Sequence, residues 1–261
     1  MKLINLNIWG GKIHDPLIDF MNKHKDDTNI FCFQEVYKSD RNQLTHGYRS
    51  NILGEISDIL TDFEYYYYPM ASGRDAEAKV DFPLSIGQAI FVKKPLKIKD
   101  SGYIFVYLKE NEFGGILPNG KAIFPRNFIY TEIEENGKRF LVINLHGFWE
   151  PKAKYDTPQR FAQSQIILNF IQKQNLPTIL AGDFNLSLNT RSVLMLEEKL
   201  KNLVKDYSLP TTRSGLYDPY YGATDKFADY IFTSREIEVL NFEALNDPIS
   251  DHLPLSLDFE V

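Results

Sequence analysis

At 261 residues, with 43% hydrophobic and 25% charged side chains, the chain has the length and composition of one compact globular unit with a sizeable core. Its formal net charge of −6 and sequence pI near 5.5 argue against a protein that holds long duplexes by general attraction to phosphate. The one cysteine, Cys32, excludes an internal disulfide and fits a reducing compartment, and no stretch approaches the apolar length of a membrane span.

The opening segment, Met1-Lys2-Leu3-Ile4-Asn5-Leu6-Asn7, lacks the basic region, long apolar region and cleavage site of a secretory signal, so the cytosol is the expected location. Apolar patterning predicts strands near residues 2–8, 29–34, 86–92, 127–133, 139–146, 177–182, 228–233 and 252–260. Helices are predicted over 16–25, 157–174 and 191–203. Asp15-Pro16 reads as the start of the first. Thr157 and Pro158 suit the cap and first position of the 157–174 helix, whose Phe161, Leu168 and Ile171 share a face. Tyr65-Tyr66-Tyr67-Tyr68 reads as a strand with one buried face. No linker, repeat or long charge block interrupts the chain, and residues 1–261 are expected to form a single domain. Mostly alternating strands with few helices point to a β-sandwich with helices outside it, although a doubly wound sheet fits the same pattern.

Several of these runs meet polar residues suited to metal or phosphate chemistry. Leu6-Asn7, Phe33-Gln34-Glu35, Asn144-Leu145-His146 and Gly182-Asp183-Phe184-Asn185 close apolar runs. Asp229-Tyr230-Ile231-Phe232 opens one, and Ser250-Asp251-His252-Leu253-Pro254 stands at the entrance of the last. Each motif alone is short and unspecific. In this order, across nearly the whole chain, they resemble those of the endonuclease/exonuclease/phosphatase superfamily, the Mg-dependent phosphoesterases related to DNase I. The resemblance implies an α/β fold, a four-layer α/β/β/α sandwich of two mixed β-sheets flanked by helices, with the motif residues meeting at its loop-bearing edge.

The resemblance also implies roles. Glu35, in the position of the family's QE motif, is the principal carboxylate on Mg²⁺ or Mn²⁺, with Asn7 and Asp251 in the same metal group. Hard cations take oxygen ligands and retain waters, so few protein carboxylates suffice. Asp183 orients or deprotonates the attacking water, and Asn185 donates to phosphoryl oxygens or the metal shell; two residues apart at a strand end, they are expected on one face. His252 contacts a phosphate oxygen with its ring held by Asp229, a pairing expected to favour the imidazolium. His146 stands beside the leaving group as general acid or phosphate ligand, and a His there departs from the abasic-site branch. His14, His24 and His46 show no ligand spacing, and one Cys with dispersed His cannot form a structural zinc site.

Substrate choice is expected in segments outside the motifs: Tyr65–Pro69, Ser72–Asp81, Asn111–Pro125 and His146–Trp149. Trp149 is the candidate for stacking a base. Among the cations Arg74, Lys79, Arg126, Lys152, Lys154, Arg160 and Arg213, Arg126 and Arg213 are the candidates for binding phosphate. The expected function is a divalent-metal-dependent phosphodiesterase, a nuclease that cleaves DNA or RNA by in-line attack of water. A phosphatase or phosphodiesterase acting on a small phosphorylated molecule or lipid head group is the alternative, favoured by the acidic pI. A non-catalytic binding protein is a third reading, opposed by the presence of every motif residue. Nucleic acid is the expected partner, a small phosphoester the alternative, and no obligate protein partner is evident.

Overall fold

The computed structural model describes residues 1–110, 112, 114–115, 123–150, 154–217 and 226–261. In chain order the strands begin with β1 (Lys2–Asn7), β2 (Ile30–Lys38), the short β3 (Leu44–Thr45) and β4 (Tyr48–Arg49), β5 (Phe63–Ser72), β6 (Ser85–Lys93) and β7 (Lys97–Tyr107). They continue with β8 (Arg126–Glu135), β9 (Lys138–His146), β10 (Thr178–Asp183), β11 (Lys201–Asn202), β12 (Asp229–Thr233), β13 (Glu238–Ala244) and β14 (Leu255–Glu260). Helices α1 (His14–His24), α2 (Ile52–Ile59), α3 (Pro158–Gln174), α4 (Arg191–Glu197) and α5 (Leu203–Asp206) lie between them. None of the described helices is long and apolar enough to cross a membrane.

Two six-stranded sheets form, ordered β13-β14-β1-β2-β6-β5 and β11-β12-β10-β9-β8-β7. Each has one parallel pair at its centre, β1 with β2 and β9 with β10, and is antiparallel on either side. A parallel pair needs a crossover, which the segments containing α1 and α3 supply. Because the flanking strands run against the central pairs, the carboxyl ends of β1, β2, β9 and β10 share one edge with the amino ends of β8, β12 and β14. That edge carries the motif residues.

Side-chain alternation explains the layers. Leu3, Ile30, Cys32 and Ile90 join Ile129, Val142, Ile179 and Ile231 in the core between the sheets. Their neighbours Ile4, Leu6, Phe31 and Phe33 point the other way and pack with Leu17, Phe20 and Met21 of α1 and Ile52 and Ile56 of α2. Beyond the second sheet, Phe170 of α3 meets Phe128 and Tyr130 at ring distances of 5.1 and 4.8 Å. Burying a phenylalanine as completely as Phe31 or Phe33 contributes about 1.5–3 kcal/mol. The result is the α/β/β/α sandwich expected above.

Local signals succeed or fail for identifiable reasons. Thr157 caps α3, accepting from the Arg160 amide at 3.3 Å, with Pro158 in the first turn. Asp15 does not cap α1, which starts at His14 with no side-chain cap; Asp15 pairs instead with His14. The helix predicted over 191–203 stops at Glu197, because Lys201 and Asn202 pair with β12. The last strand begins at Leu255 rather than 252, since Ser250–Pro254 forms the bend that carries Asp251 and His252. The tyrosine run lies on β5, at a sheet edge, and packs on both faces, Tyr65 against Phe91 and Tyr68 against Tyr103.

Candidate active site

The site is built on local distortions of regular strands. On β2, Gln34 and Glu35 together oppose Gln88, a bulge that puts Glu35 in the left-handed region at φ 56°. Before the bulge Cys32 and Gln34 face the inter-sheet core; after it Val36 faces α2, and Glu35 is turned toward the edge of the sandwich. The strand does not end at Glu35, as the sequence suggests, but continues to Lys38. On β10, Gly182 adopts φ 145°, and a Cβ there would lie 2.1 Å from the Leu145 carbonyl oxygen. The glycine before Asp183 thus lets β9 approach closely enough to bring His146 beside Asp183.

The motif residues converge. Asn7 Nδ2 donates to Glu35 Oε1 and to Asp183 Oδ2, both at 3.2 Å, while its Oδ1 accepts from the Trp9 amide at 3.0 Å. Its nitrogen, not its oxygen, therefore faces the carboxylates. Asp183 Oδ2 lies 3.9 Å from His146 Nε2 and 3.8 Å from His252 Nε2. Asp183 Oδ1 accepts from the Asn185 amide at 2.9 Å, a turn in which Asn185 takes φ 53°, so the pair does not share a regular strand face. Asn185 Nδ2 donates to the Gly147 carbonyl at 3.4 Å. Asp251 Oδ1 lies 3.8 Å from His252 Nε2, and Ser250 ties this bend to β1 by donating to the Asn7 carbonyl at 2.7 Å.

Each of the two histidines, His146 and His252, also meets an arginine. Arg126 Nη1 donates to His146 Nε2 at 2.7 Å, and Arg213 Nη1 donates to His252 Nε2. Arginine has no acceptor, so both Nε2 atoms accept and the ring protons sit on Nδ1. For His252 that proton goes to Asp229, whose two oxygens lie at 2.8 Å. His146 Nδ1 finds no partner among the described residues. Burial, then the Arg213 charge, pushes His252 down to about 3. Burial, then Arg126, holds His146 well below its ordinary 6.5. With its Nε2 accepting from Arg213, His252 is not the imidazolium expected: burial and the guanidinium lower it against the charges of Asp251 and Asp183.

The donor chemistry fits a hard cation. Burial, then the Asp251 charge, pushes the Glu35 carboxyl up to about 7, a crowding of carboxylates that a cation would relieve. Asp183, Asp229 and His252 form a second grouping, with ligand atoms within 4.8 Å of one another, although His252 Nδ1 is already engaged by Asp229.

Glu35, His146, Asp183, Asn185, Asp251 and His252 line a cleft of about 770 Å³, counting the space open to solvent. Arg126, Arg213 and Trp149 line it too, joined by Trp9, Lys154 and Tyr217. Trp9 was not foreseen; its only signal in the sequence is its place between Asn7 and Gly10-Gly11. Lys154, one of several candidate cations, is buried in the cleft wall with its Nζ 5.7 Å from the Tyr217 ring. Arg160 is fully buried and donates to the Tyr155 carbonyl. Of the proposed substrate segments, Ser72–Asp81 reaches the cleft through Ala76, Asn111–Pro125 through Phe124 and His146–Trp149 through its two end residues, while Met70 of β5, just past Tyr65–Pro69, also lines it. The rest of Asn111–Pro125, apart from residues 112, 114–115, 123 and 125, lies outside the described residues, as does Lys152. His14, His24 and His46 lie away from the cleft, His14 bonded to Glu55, His24 against Phe20 and His46 bonded to Asp75.

Comparison with known proteins accords with this geometry. A phospholipase C of Staphylococcus aureus is 30% identical over 127 residues, covering 42% of this chain and 38% of its own length. The chain thus matches well under half of that curated relative. Among solved structures, the mannosyl-6-phosphatase of Bacteroides thetaiotaomicron superposes with a TM-score of 0.70 at 19% identity, each chain covered in full. The human Nocturnin catalytic domain with bound sulfate gives a TM-score of 0.68 at 19% identity, covering 100% of this chain and 94% of that one. Residues 4–252 match the profile of the Endonuclease/Exonuclease/phosphatase family, and the chain belongs to that family.

Proposed function

We propose that the protein is a divalent-metal-dependent phosphodiesterase that cleaves nucleic acid, and that its site residues are Asn7, Glu35, His146, Asp183, Asn185, Asp229, Asp251 and His252. The observation that carries this reading is that Glu35, His146, Asp183, Asn185, Asp251 and His252 line one cleft with Arg126 and Arg213, Asn7 being bonded to Glu35 and Asp183 and Asp229 to His252. A bound Mg²⁺ or Mn²⁺, held by Glu35 and Asp251, would supply Lewis-acid stabilisation of charge on the phosphoryl oxygens.

The chain's own groups supply the rest. Asp183 Oδ2 faces the cleft between the two histidines and takes a proton from the attacking water, while its Oδ1 is fixed by the Asn185 amide. Asn7 orients Glu35 and Asp183 through its amide nitrogen. Arg126 and Arg213 donate to the phosphoryl oxygens as negative charge grows on them, and His146 and His252 hold those guanidiniums in place. Asp229 sets the tautomer of His252. Water adds to phosphorus, the ester P–O bond breaks opposite it, and the departing alkoxide takes up a proton from solvent while Asp183 releases the one it accepted, so that an alcohol and a phosphate monoester leave. Trp149, half-buried on the cleft wall, is the proposed base-stacking residue. A cytosolic location belongs to this reading, in keeping with the lone buried thiol of Cys32.

A second reading, hydrolysis of a small phosphoester or a lipid head group, is favoured by the net charge of −6 and by the likeness to a phospholipase C. The deciding experiment incubates purified protein with end-labelled single-stranded DNA, duplex DNA, abasic duplex and RNA, with Mg²⁺ or chelator, and with His252→Ala as the contamination control. Metal-dependent cutting that disappears in the variant supports the nuclease. Folded protein that cuts no polymer overturns it and moves the substrate to small phosphoesters.

A further inference from the structure

Directly beneath the cleft the core between the sheets is not dry. Asn5, Gln34, Gln88, Asn127 and Asn144 are all fully buried there. Gln34 Nε2 of β2 donates to Asn5 Oδ1 of β1 at 2.9 Å and, across the gap between the sheets, to Asn144 Oδ1 of β9 at 2.5 Å. Asn144 Nδ2 answers by donating to the Phe33 and Ala89 carbonyls of the first sheet at 3.0 and 3.1 Å. A second junction joins β6 to β8, where Gln88 Nε2 donates to the carbonyl and Oδ1 of Asn127 at 2.8 and 2.5 Å.

Their positions follow the site. Asn5 and Asn144 stand two residues before Asn7 and His146, one step deeper on the same strand face, while Gln34 and Asn127 adjoin Glu35 and Arg126. The arrangement is an expensive way to fill a core. Asn5 Nδ2, Gln34 Oε1 and Gln88 Oε1 find no partner among the described residues, and an incompletely satisfied buried amide opposes folding. Apolar contact is non-directional and leaves two facing sheets free to shift, whereas hydrogen bonds across the layer fix where one sheet lies on the other. The site needs that fixity, since Asn7 and Glu35 come from the first sheet and Asp183, His146 and Arg126 from the second.

We propose that the two inter-sheet amide junctions are positioning devices: Gln34 with Asn144 and Asn5 sets Asn7 and Glu35 of the first sheet against Asp183, and Gln88 with Asn127 sets Arg126. The proposal rests on the phosphodiesterase reading for its chemistry. Groups that orient ligands from behind typically govern metal affinity or activity by about 10–100-fold.

The test uses the full chain, with Mn²⁺ and inorganic phosphate as separate probes in titration calorimetry, well below each variant's unfolding temperature. Gln34→Met should bind Mn²⁺ at least about tenfold more weakly and lose kcat with little change in KM. Gln88→Met should keep its Mn²⁺ affinity but bind phosphate at least about tenfold more weakly. A purely structural role would lower the unfolding temperatures and leave both affinities of the folded protein unchanged, which overturns the proposal. If Gln34→Met does not fold, unchanged phosphate affinity in Gln88→Met overturns it alone. If the parent itself fails to bind Mn²⁺, the functional reading fails instead. The positioning claim is then judged by a crystal structure of Gln34→Met, in which Asn7 Nδ2 should have left hydrogen-bond reach of Asp183 Oδ2, and an unchanged separation refutes it.

Discussion

Asp183 has one oxygen held by the Asn185 amide and presents the other, which also accepts from Asn7 Nδ2, to the cleft between two histidines. Asp183→Asn can keep the first contact through its remaining oxygen while removing the base. Its kcat should fall by about 10²–10⁴-fold with only a small drop in unfolding temperature, from the lost acceptor for Asn7 Nδ2, as read by steady-state kinetics and calorimetry. A parallel loss of stability would mean that the carboxylate is mainly structural. Gly10 gives the opposite case. It adopts φ 59°, and a Cβ would lie 2.6 Å from Tyr48 Cδ1 and 2.7 Å from Tyr37 Cε2. Gly10→Ala should cost about 1–3 kcal/mol, seen as a lower urea midpoint. The motif residues were legible because six short motifs, each unspecific alone, stand in one order across nearly the whole chain. The arginine–histidine pairs were not, because residues 20 and 39 positions apart meet only in the folded chain and reverse the protonation that the Asp229–His252 pair alone implies.

Among the elements, the central strands were readable because burial on both faces or strict alternation leaves a pattern. The edge strands β7 and β13 were missed for the complementary reason: they pack on one side, expose much of their length, and interleave charge with apolar residues. Helix α2 is short and lacks a capping side-chain bond, so it left no punctuation. The loop after β5 has its own fastening. Asp75 accepts from Thr45 Oγ1, His46 Nδ1 and the amides of Glu77 and Ala78, and Ala76 between them lines the cleft. Burial opposes the Asp75 charge, but hydrogen bonds from His46, Thr45, Ala78 and Glu77 prevail and hold its carboxyl below the ordinary 3.8. The same hydrogen bond raises His46 above 6.5. The Asp75 contribution is present above 3.8 and is lost as pH falls through its depressed value. The His46 contribution is complete below 6.5 and is lost as pH rises through its elevated value. The loop should be held most firmly between those limits. Amide exchange at Glu77 and Ala78, corrected for intrinsic rate, should quicken above that window. In His46→Ala the alkaline limb should vanish and the acid limb remain.

For the whole molecule, a cation held by Glu35 of β2 and Asp251 before β14 would couple segments more than two hundred residues apart, so its binding should be felt as global stability. At a free concentration a hundred times its Kd, Mg²⁺ or Mn²⁺ should add about 2.7 kcal/mol. The unfolding temperature should rise with metal, return with chelator, and respond weakly in Asp251→Asn. No shift in the parent protein would leave the oxygen cluster without its cation. The pairing of β1 with β14 has a further consequence, in time rather than in energy. β1 precedes the other strands of its sheet in the chain yet lies inside it, one flank taken by β2 and the other reserved for β14, which follows them all. While the chain is being synthesised that flank stays open, and Asp251 and His252 emerge only just ahead of β14. On the proposed reading, the growing polypeptide has no complete site for attacking phosphoesters until Asp251 and His252 have been made and β14 has closed that flank.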